Sequence, residues 1–279
     1  MEQQRTERRL ITAEQQKRIE EICFRSLALI GHNCEYLEQH FGRTGADEPT
    51  RQAVADINTA AVQLERTLNE AITLLEFLRE DTKPQLYLID LCELLRQVET
   101  QADMIRAQLG VDIRLDYGGS TVCCVMADYR DAELLCLHLL SNALRASREG
   151  GSVSIALHST QTGWQLTVTD DGCGLPGKDV QAALENRRSF LGGAQLGLLL
   201  CQECCRRMGW SLQLEPAPEK GTQAVVSIPL YAGESHPNGT VELHTDTEIE
   251  REQRRYHLRA MLVREMRIMP ERGDPEEDL

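Results

Sequence analysis

From Val54 to Leu78 an apolar residue falls at every third or fourth position: Val54, Ile57, Ala61, Leu64, Leu68, Ile72, Leu75 and Leu78. Only a 3.6-residue period stacks such a series on one face, so this stretch must form a long helix. A looser series precedes it, running Ile19, Ile22, Ser26, Ile30, Asn33, Leu37, Phe41. Between the two, Gly42-Arg43-Thr44-Gly45-Ala46-Asp47-Glu48-Pro49 breaks the period. Glu48-Pro49 suits a helix start, because proline is tolerated in the first turn. The pair predicts an antiparallel hairpin of two helices. A lone hairpin leaves an apolar seam open, so two copies are expected to close it as a four-helix bundle, giving a homodimer.

After Asp81-Thr82-Lys83-Pro84 the texture changes. Residues 85–89 read as a short strand, 90–109 as a helix opened by an acidic residue, and 111–116 and 121–126 as strands. A helix follows from Asp128, which suits an N-cap, with Asp131 in its first turn. Residues 151–158 and 164–169 alternate apolar and polar side chains, as strands with one buried face do. A helix over 195–208 and strands at 211–214 and 223–229 complete an α+β domain, a mixed sheet with helices on one face. The expected organisation is residues 1–83 as the hairpin, 84–231 as the α+β domain and 232–279 as a polar extension. That extension is expected to be helical over about 247–269. Its Leu258, Met261, Leu262 and Met266 can dock on a neighbour, although a solvated extension with a disordered acidic end is the plainer reading.

Composition narrows the class. A formal net charge of −14 argues against a general nucleic-acid binder, since a polyanion is repelled at long range. No apolar run reaches the roughly 20 residues of a membrane span. Residues 1–9 lack the apolar core of a signal peptide, so a cytoplasmic protein is expected. The 10 cysteines lie inside apolar periodic segments and read as buried free thiols. Cys201-Gln-Glu-Cys204-Cys205 is one CxxC pair with no second pair beside it, a weak metal signal.

Three stretches carry chemistry, and their order matters more than any one alone. On the helix from Asp128 lies His138-Leu139-Leu140-Ser141-Asn142-Ala143-Leu144-Arg145. The Asn142 amide oxygen suits a hard cation such as magnesium. Arg145, one turn on, can reach a phosphate. Directly after a strand comes Asp170-Asp171-Gly172-Cys173-Gly174, where glycines admit close approach to a flat ligand and a strand-end carboxylate can accept from an adenine amino group. Gly192-Gly193-Ala194-Gln195-Leu196-Gly197-Leu198 then enters a helix whose free amides and dipole favour phosphate.

In this order the motifs resemble the Bergerat-type ATP-binding fold shared by histidine kinases, gyrase, Hsp90 and MutL. The resemblance implies that Asn142 is the magnesium-binding residue of an asparagine box, and that Asp170, Gly172 and Gly174 form a first glycine box holding adenine. It implies that Gly193, Leu196 and Gly197 belong to a second glycine box. Lys220-Gly221-Thr222 resembles the family's closing Gly-Thr. The preceding hairpin is similar to the dimerisation and phosphotransfer domain of sensor kinases.

Four departures stand out. His138 occupies the place of the usual first Asn of the asparagine box, Gln195 that of a glycine, and Ala194 that of a Ser or Thr. Gln195 either crowds the phosphates or bonds one. The stretch between Gly174 and Gly192 is short for an ATP lid, although Lys178, Arg187 and Arg188 offer charge for a triphosphate.

The resemblance implies a protein histidine kinase using ATP and Mg2+, and His32 on the first helix is its candidate phosphoacceptor. Asn33 follows where an acidic residue is usual; its amide can orient a ring but cannot take a proton. His40 is a second candidate. The implied partners are a response-regulator receiver domain and a separate sensor protein. A catalytically weak dimeric scaffold is the alternative.

Overall fold

The computed structural model describes residues 13–77, 83–147, 150–174 and 196–230, together with 250–253, 255–256, 258–259 and 262. Two compact units form, Met1–Asn69 and Glu70–Leu279, with the boundary inside the second helix.

The first unit contains α1 (Ala13–Thr44) and α2 (Glu48–Phe77) up to its boundary. Gly45 ends α1 with φ 79°, and its N–H donates to the Phe41 carbonyl at 2.9 Å. A left-handed residue after the last turn closes a helix in this way, and glycine takes it without a Cβ penalty. Leu27 and Cys34 of α1 and Val54, Ala61 and Val62 of α2 are buried. The buried line on α1 therefore lies one residue along from the Ser26–Asn33 series expected from the periodicity. Ile19, Ile22, Leu29, Ile30 and Tyr36 form a second apolar line on α1, and it is exposed. Ile57 and Leu64 are exposed on α2.

The second unit begins with residues 70–77 of α2. It continues through β1 (Tyr87–Asp90), α3 (Leu91–Leu109), β2 (Asp112–Asp116), β3 (Cys124–Ala127), α4 (Tyr129–Ala146), β4 (Ser152–Thr160) and β5 (Gly163–Asp170). The helix Leu196–Met208, called α5 here, β6 (Ser211–Pro216) and β7 (Thr222–Pro229) follow. Asp90 caps α3 by accepting from the Cys92 N–H, and Asp128 caps α4 by accepting from Arg130 and Asp131. Each cap satisfies amides that a helix start leaves without partners.

The main sheet has the order β2-β4-β5-β7-β6, with β2 parallel to β4 and every other pair antiparallel. β1 and β3 form a separate antiparallel pair that sequence reading did not anticipate. Alternate residues separate the faces. Val153, Ile155, Leu157, Leu166, Val168, Ala224, Val226 and Ile228 point into one core with α3, α4 and α5. On the other face lie Ser152, Ser154, Gln165, Thr169, Gln223 and Ser227. One apolar and one polar face is what a two-layer domain requires.

Residues 250–253, 255–256, 258–259 and 262 are helical. Leu258 and Leu262 are 0% and 2% exposed and join the core of the second unit. The expectation of a solvated extension is corrected here: this helix is packed into its own chain. Burying two leucines stabilises by about 1.5–3 kcal/mol each, enough to hold a short helix in place. Met261, Met266 and the acidic end lie outside the described residues.

Candidate functional site

The site is built where β5 ends. Asp170 is 6% exposed, and its Oδ1 accepts the Gly172 N–H at 2.9 Å and the Thr222 N–H at 3.2 Å. Burial pushes its carboxyl above the ordinary range, and these two hydrogen bonds work against the shift. With Oδ1 engaged twice by backbone, Oδ2 is the oxygen left for an incoming donor.

Three glycines make this arrangement possible. A Cβ on Gly172 would stand 2.1 Å from the Ala146 carbonyl oxygen at the end of α4. One on Gly221, at φ 98°, would stand 2.0 Å from the Asp170 carbonyl oxygen. Gly174 has φ 75°, and its Cβ would meet the Gly221 carbonyl oxygen at 3.3 Å. The glycines of the Asp-x-Gly-x-Gly stretch and of Lys220-Gly221-Thr222 thus answer one steric demand, because the backbone around Asp170 closes too tightly for side chains.

α4 supplies the next wall. Ala132, Leu135, Cys136, Leu139, Leu140 and Ala143 are buried. Asp131, His138, Asn142 and Arg145 fall on a common stripe by their seven-, four- and three-residue steps. Asn142 and Arg145 are half-buried one turn apart, near the Ala146 carbonyl that Gly172 approaches. At the other end of the stripe, the Asp131 Oδ2 accepts from Arg207 Nε of α5 at 2.7 Å, with the two side chains 1% and 8% exposed. The Arg207 guanidinium lies 4.1 Å over the Phe77 ring. His138 Nδ1 stands 3.6 Å from Glu70 Oε1, both side chains 7% exposed, and Arg130 bonds Glu76 at 2.9 Å. Residues 70–77 of α2 are therefore seated along α4 and α5. None of these pairings has a local sequence signal, since the partners are 54–130 positions apart.

Of the second glycine box, Leu196 and Gly197 begin α5, half-buried and buried. Gly193, Gln195, Ala194, Lys178, Arg187 and Arg188 lie outside the described residues. Thr222 opens β7, its N–H on Asp170. Cys201, Cys204 and Cys205 are buried thiols on α5, outside any disulfide. Burial holds the Cys204 thiol well above its usual range and pushes that of Cys205 up to about 12. Among the described residues no group of three or more His, Cys, Asp or Glu side chains is placed to hold a metal ion.

In the first unit, His32 and Asn33 are both exposed on α1. The Asn33 Nδ2 donates back to the Leu29 carbonyl at 2.8 Å. His40 is stacked on Tyr36 at 6.2 Å and meets Phe41 edge-on. None of the helices described is long and apolar enough to cross a membrane.

Residues 127–232, which hold Asp128, Asn142, Asp170 and Thr222, match the family model of histidine kinase-, DNA gyrase B-, and HSP90-like ATPases. The adaptive-response sensory kinase SasA of Nostoc sp. is 32% identical over 114 residues, 39% of this chain and 28% of that protein. The sensor histidine kinase Hik2 of Thermosynechococcus vestitus is 34% identical over 101 residues, 33% of this chain and 26% of that protein. The family match lies within the second unit and takes in both α4 and the Asp170 loop. The chain spans a third or less of the length of these relatives. The crystal structure of full-length ShkA in complex with AMPPNP shares the fold, with a TM-score of 0.58 and 21% identity. It covers 78% of this chain and 46% of the other.

Proposed function

We propose that the chain is an ATP-dependent protein histidine kinase of a two-component system. It phosphorylates His32 and passes the phosphoryl group to an aspartate on a response-regulator receiver domain. The observation that carries this reading is the Asp170 cradle. A nine-tenths-buried carboxylate, pinned at one oxygen by two amides, presents the other as an acceptor in a loop whose glycines let the backbone close around it. That is the chemistry needed to select an adenine amino group.

The remaining donors fit a nucleotide with its cation. Asn142 offers one neutral oxygen and Arg145 one positive charge, a set that completes a magnesium shell only with phosphate oxygens and water. In this reading Asn142 holds Mg2+, and Arg145, Lys178 and the amides leading into α5 through Gly193 and Gln195 neutralise phosphate charge. Leu196, Gly197 and Thr222 shape the walls. The reaction then rests on positioning and charge neutralisation.

The hairpin supplies the acceptor and the dimer. Ile22, Leu29 and Tyr36 are 60%, 62% and 63% exposed at intervals of seven residues, and Ile57 and Leu64 repeat that interval on α2. A seven-residue apolar line is the signature of a helix that winds on another, and a second copy of this hairpin is its occupant. The division into a dimerising segment, residues 1–83, and a nucleotide-binding segment, 84–231, follows this reading, as do a cytoplasmic site of action and a separate sensor protein supplying the input.

A second reading, a dimeric scaffold with little turnover, draws on His138. A buried imidazole against Glu70 stands in the asparagine box. Titration of the full chain with ATP in the presence and absence of magnesium separates the two. Magnesium-dependent binding that is lost in Asp170→Asn, with acid-labile phosphate incorporated from γ-labelled ATP, is the kinase result. Binding or incorporation indifferent to Asp170 sinks it.

A further inference from the structure

We propose that Glu35 is the proton acceptor for His32, a role that Asn33 cannot fill. The inference rests on His32 being the phosphoacceptor.

Proton balance creates the need. In the neutral imidazole one ring nitrogen carries a hydrogen and the other a lone pair. When Nε2 attacks the γ-phosphorus, the Nε2–P bond forms and the bond from phosphorus to the β,γ-bridging oxygen breaks, its electron pair leaving on ADP. The ring would then be cationic, and it becomes neutral when the Nδ1 hydrogen moves to a carboxylate, which turns into a carboxylic acid and later releases the proton to water. A base within reach of the ring is therefore part of the reaction.

The next residue does not provide one. Asn33 has no basic oxygen, and its amide is turned onto the backbone, donating to the Leu29 carbonyl at 2.8 Å. Side chains that meet a helical residue come from three and four positions away. Around His32 these are Ala28, Leu29, Glu35 and Tyr36, and Glu35 is the sole carboxylate among them. The rotation of α1 agrees. Leu27 and Cys34 mark the line buried in the hairpin, and Ile22, Leu29 and Tyr36 mark the exposed apolar line to which the proposed function assigns the second copy. His32 lies on the remaining outward face, and on the next turn of that face Glu35 follows, half-buried. His40 has no such arrangement: its ring is engaged by Tyr36 and Phe41.

The test follows incorporation from magnesium and γ-labelled ATP into the full chain, comparing wild type, His32→Ala, Glu35→Gln and Glu35→Ala, with ATP binding measured on each. General acid–base groups typically contribute at least about a hundredfold to rate, so Glu35→Gln is expected to slow labelling by that order with ATP affinity unchanged. Added formate is expected to restore part of the rate to Glu35→Ala, a rescue that a merely structural residue would not show. Labelling of Glu35→Gln within about twofold of wild type, with His32→Ala unlabelled, overturns the role of Glu35 and leaves the kinase reading intact. Full labelling of His32→Ala, or an unlabelled wild-type protein, overturns the reading beneath it and the inference with it.

Discussion

A methyl group on Gly221 would lie 2.0 Å from the carbonyl oxygen of Asp170, closer than any real contact, so these two residues are fitted to each other across the sheet. Gly221→Ala must push β7 away from β5 at that point, and φ 98° adds backbone strain of about 1–3 kcal/mol. The variant is expected to lose stability by at least that amount in a urea titration. Its ATP affinity is expected to fall more than tenfold, because the Thr222 amide leaves Asp170. Unchanged affinity in a folded variant would refute the cradle.

Asp170→Asn separates stability from binding. The amide oxygen can still accept from Gly172 and Thr222, but the new NH2 opposes an incoming amino group, so nucleotide binding should be lost while the fold persists. The pH dependence has a definite sign. The folded protein holds the Asp170 carboxyl above its ordinary value, so ionisation is penalised in the folded state. That penalty is absent below the unfolded carboxylate range, near about pH 3.9, and is complete once pH exceeds the raised value. The variant escapes it. Its Tm relative to wild type should therefore climb as pH rises from acid towards neutral, and parallel Tm curves would contradict this account.

The Arg207–Asp131 pair is almost fully buried. Removing Arg207 strands a carboxylate that is 1% exposed, at a cost of about 3–5 kcal/mol. Arg207→Ala should be far less stable than wild type at neutral pH. It should recover part of that difference on acidification, as protonation removes the stranded charge. Arg207→Ala/Asp131→Ala should cost less than the sum of its single variants, and additivity in denaturant midpoints would mean that the two do not act as a pair.

The C-terminal helix gives a fourth test. Leu258 has no exposed surface, so Leu258→Ala should cost about 2–5 kcal/mol, whereas Tyr256→Ala, at a residue 79% exposed, should cost almost nothing. Equal and small effects on thermal unfolding would show the helix to be undocked.

These tests sort what was legible from sequence. The long helices, the Asp128 cap, the alternation of β4 and β5 and the Asp170 loop were readable because each depends on neighbours along the chain, on period, capping and turn chemistry. The contacts of residues 70–77 were not: Glu70, Glu76 and Phe77 continue the helical pattern of α2 without a break, and nothing local marks where that helix starts to face another core. Leu258 and Leu262 were recognisable as one apolar side, but a pattern of apolar residues does not say what covers it. The buried line of α1 was misplaced by one position for a related reason. The helix carries two apolar lines, and periodicity alone does not rank them.

Of the ten thiols, Cys124 and Cys173 are exposed and Cys23 is half-buried, while Cys34, Cys92, Cys123, Cys136, Cys201, Cys204 and Cys205 are buried. Burial lifts Cys123 and Cys204 far above the range in which a thiolate forms and Cys136 to about 12, so these sulfurs are slow nucleophiles towards alkylating reagents. Cys173 stands between Gly172 and Gly174, in the loop that would frame adenine. The folded chain thus carries a built-in attachment point for a fluorophore within a residue or two of its nucleotide pocket. With Cys23 and Cys124 replaced, a maleimide dye there would report ligand occupancy directly, with no cysteine to be engineered in.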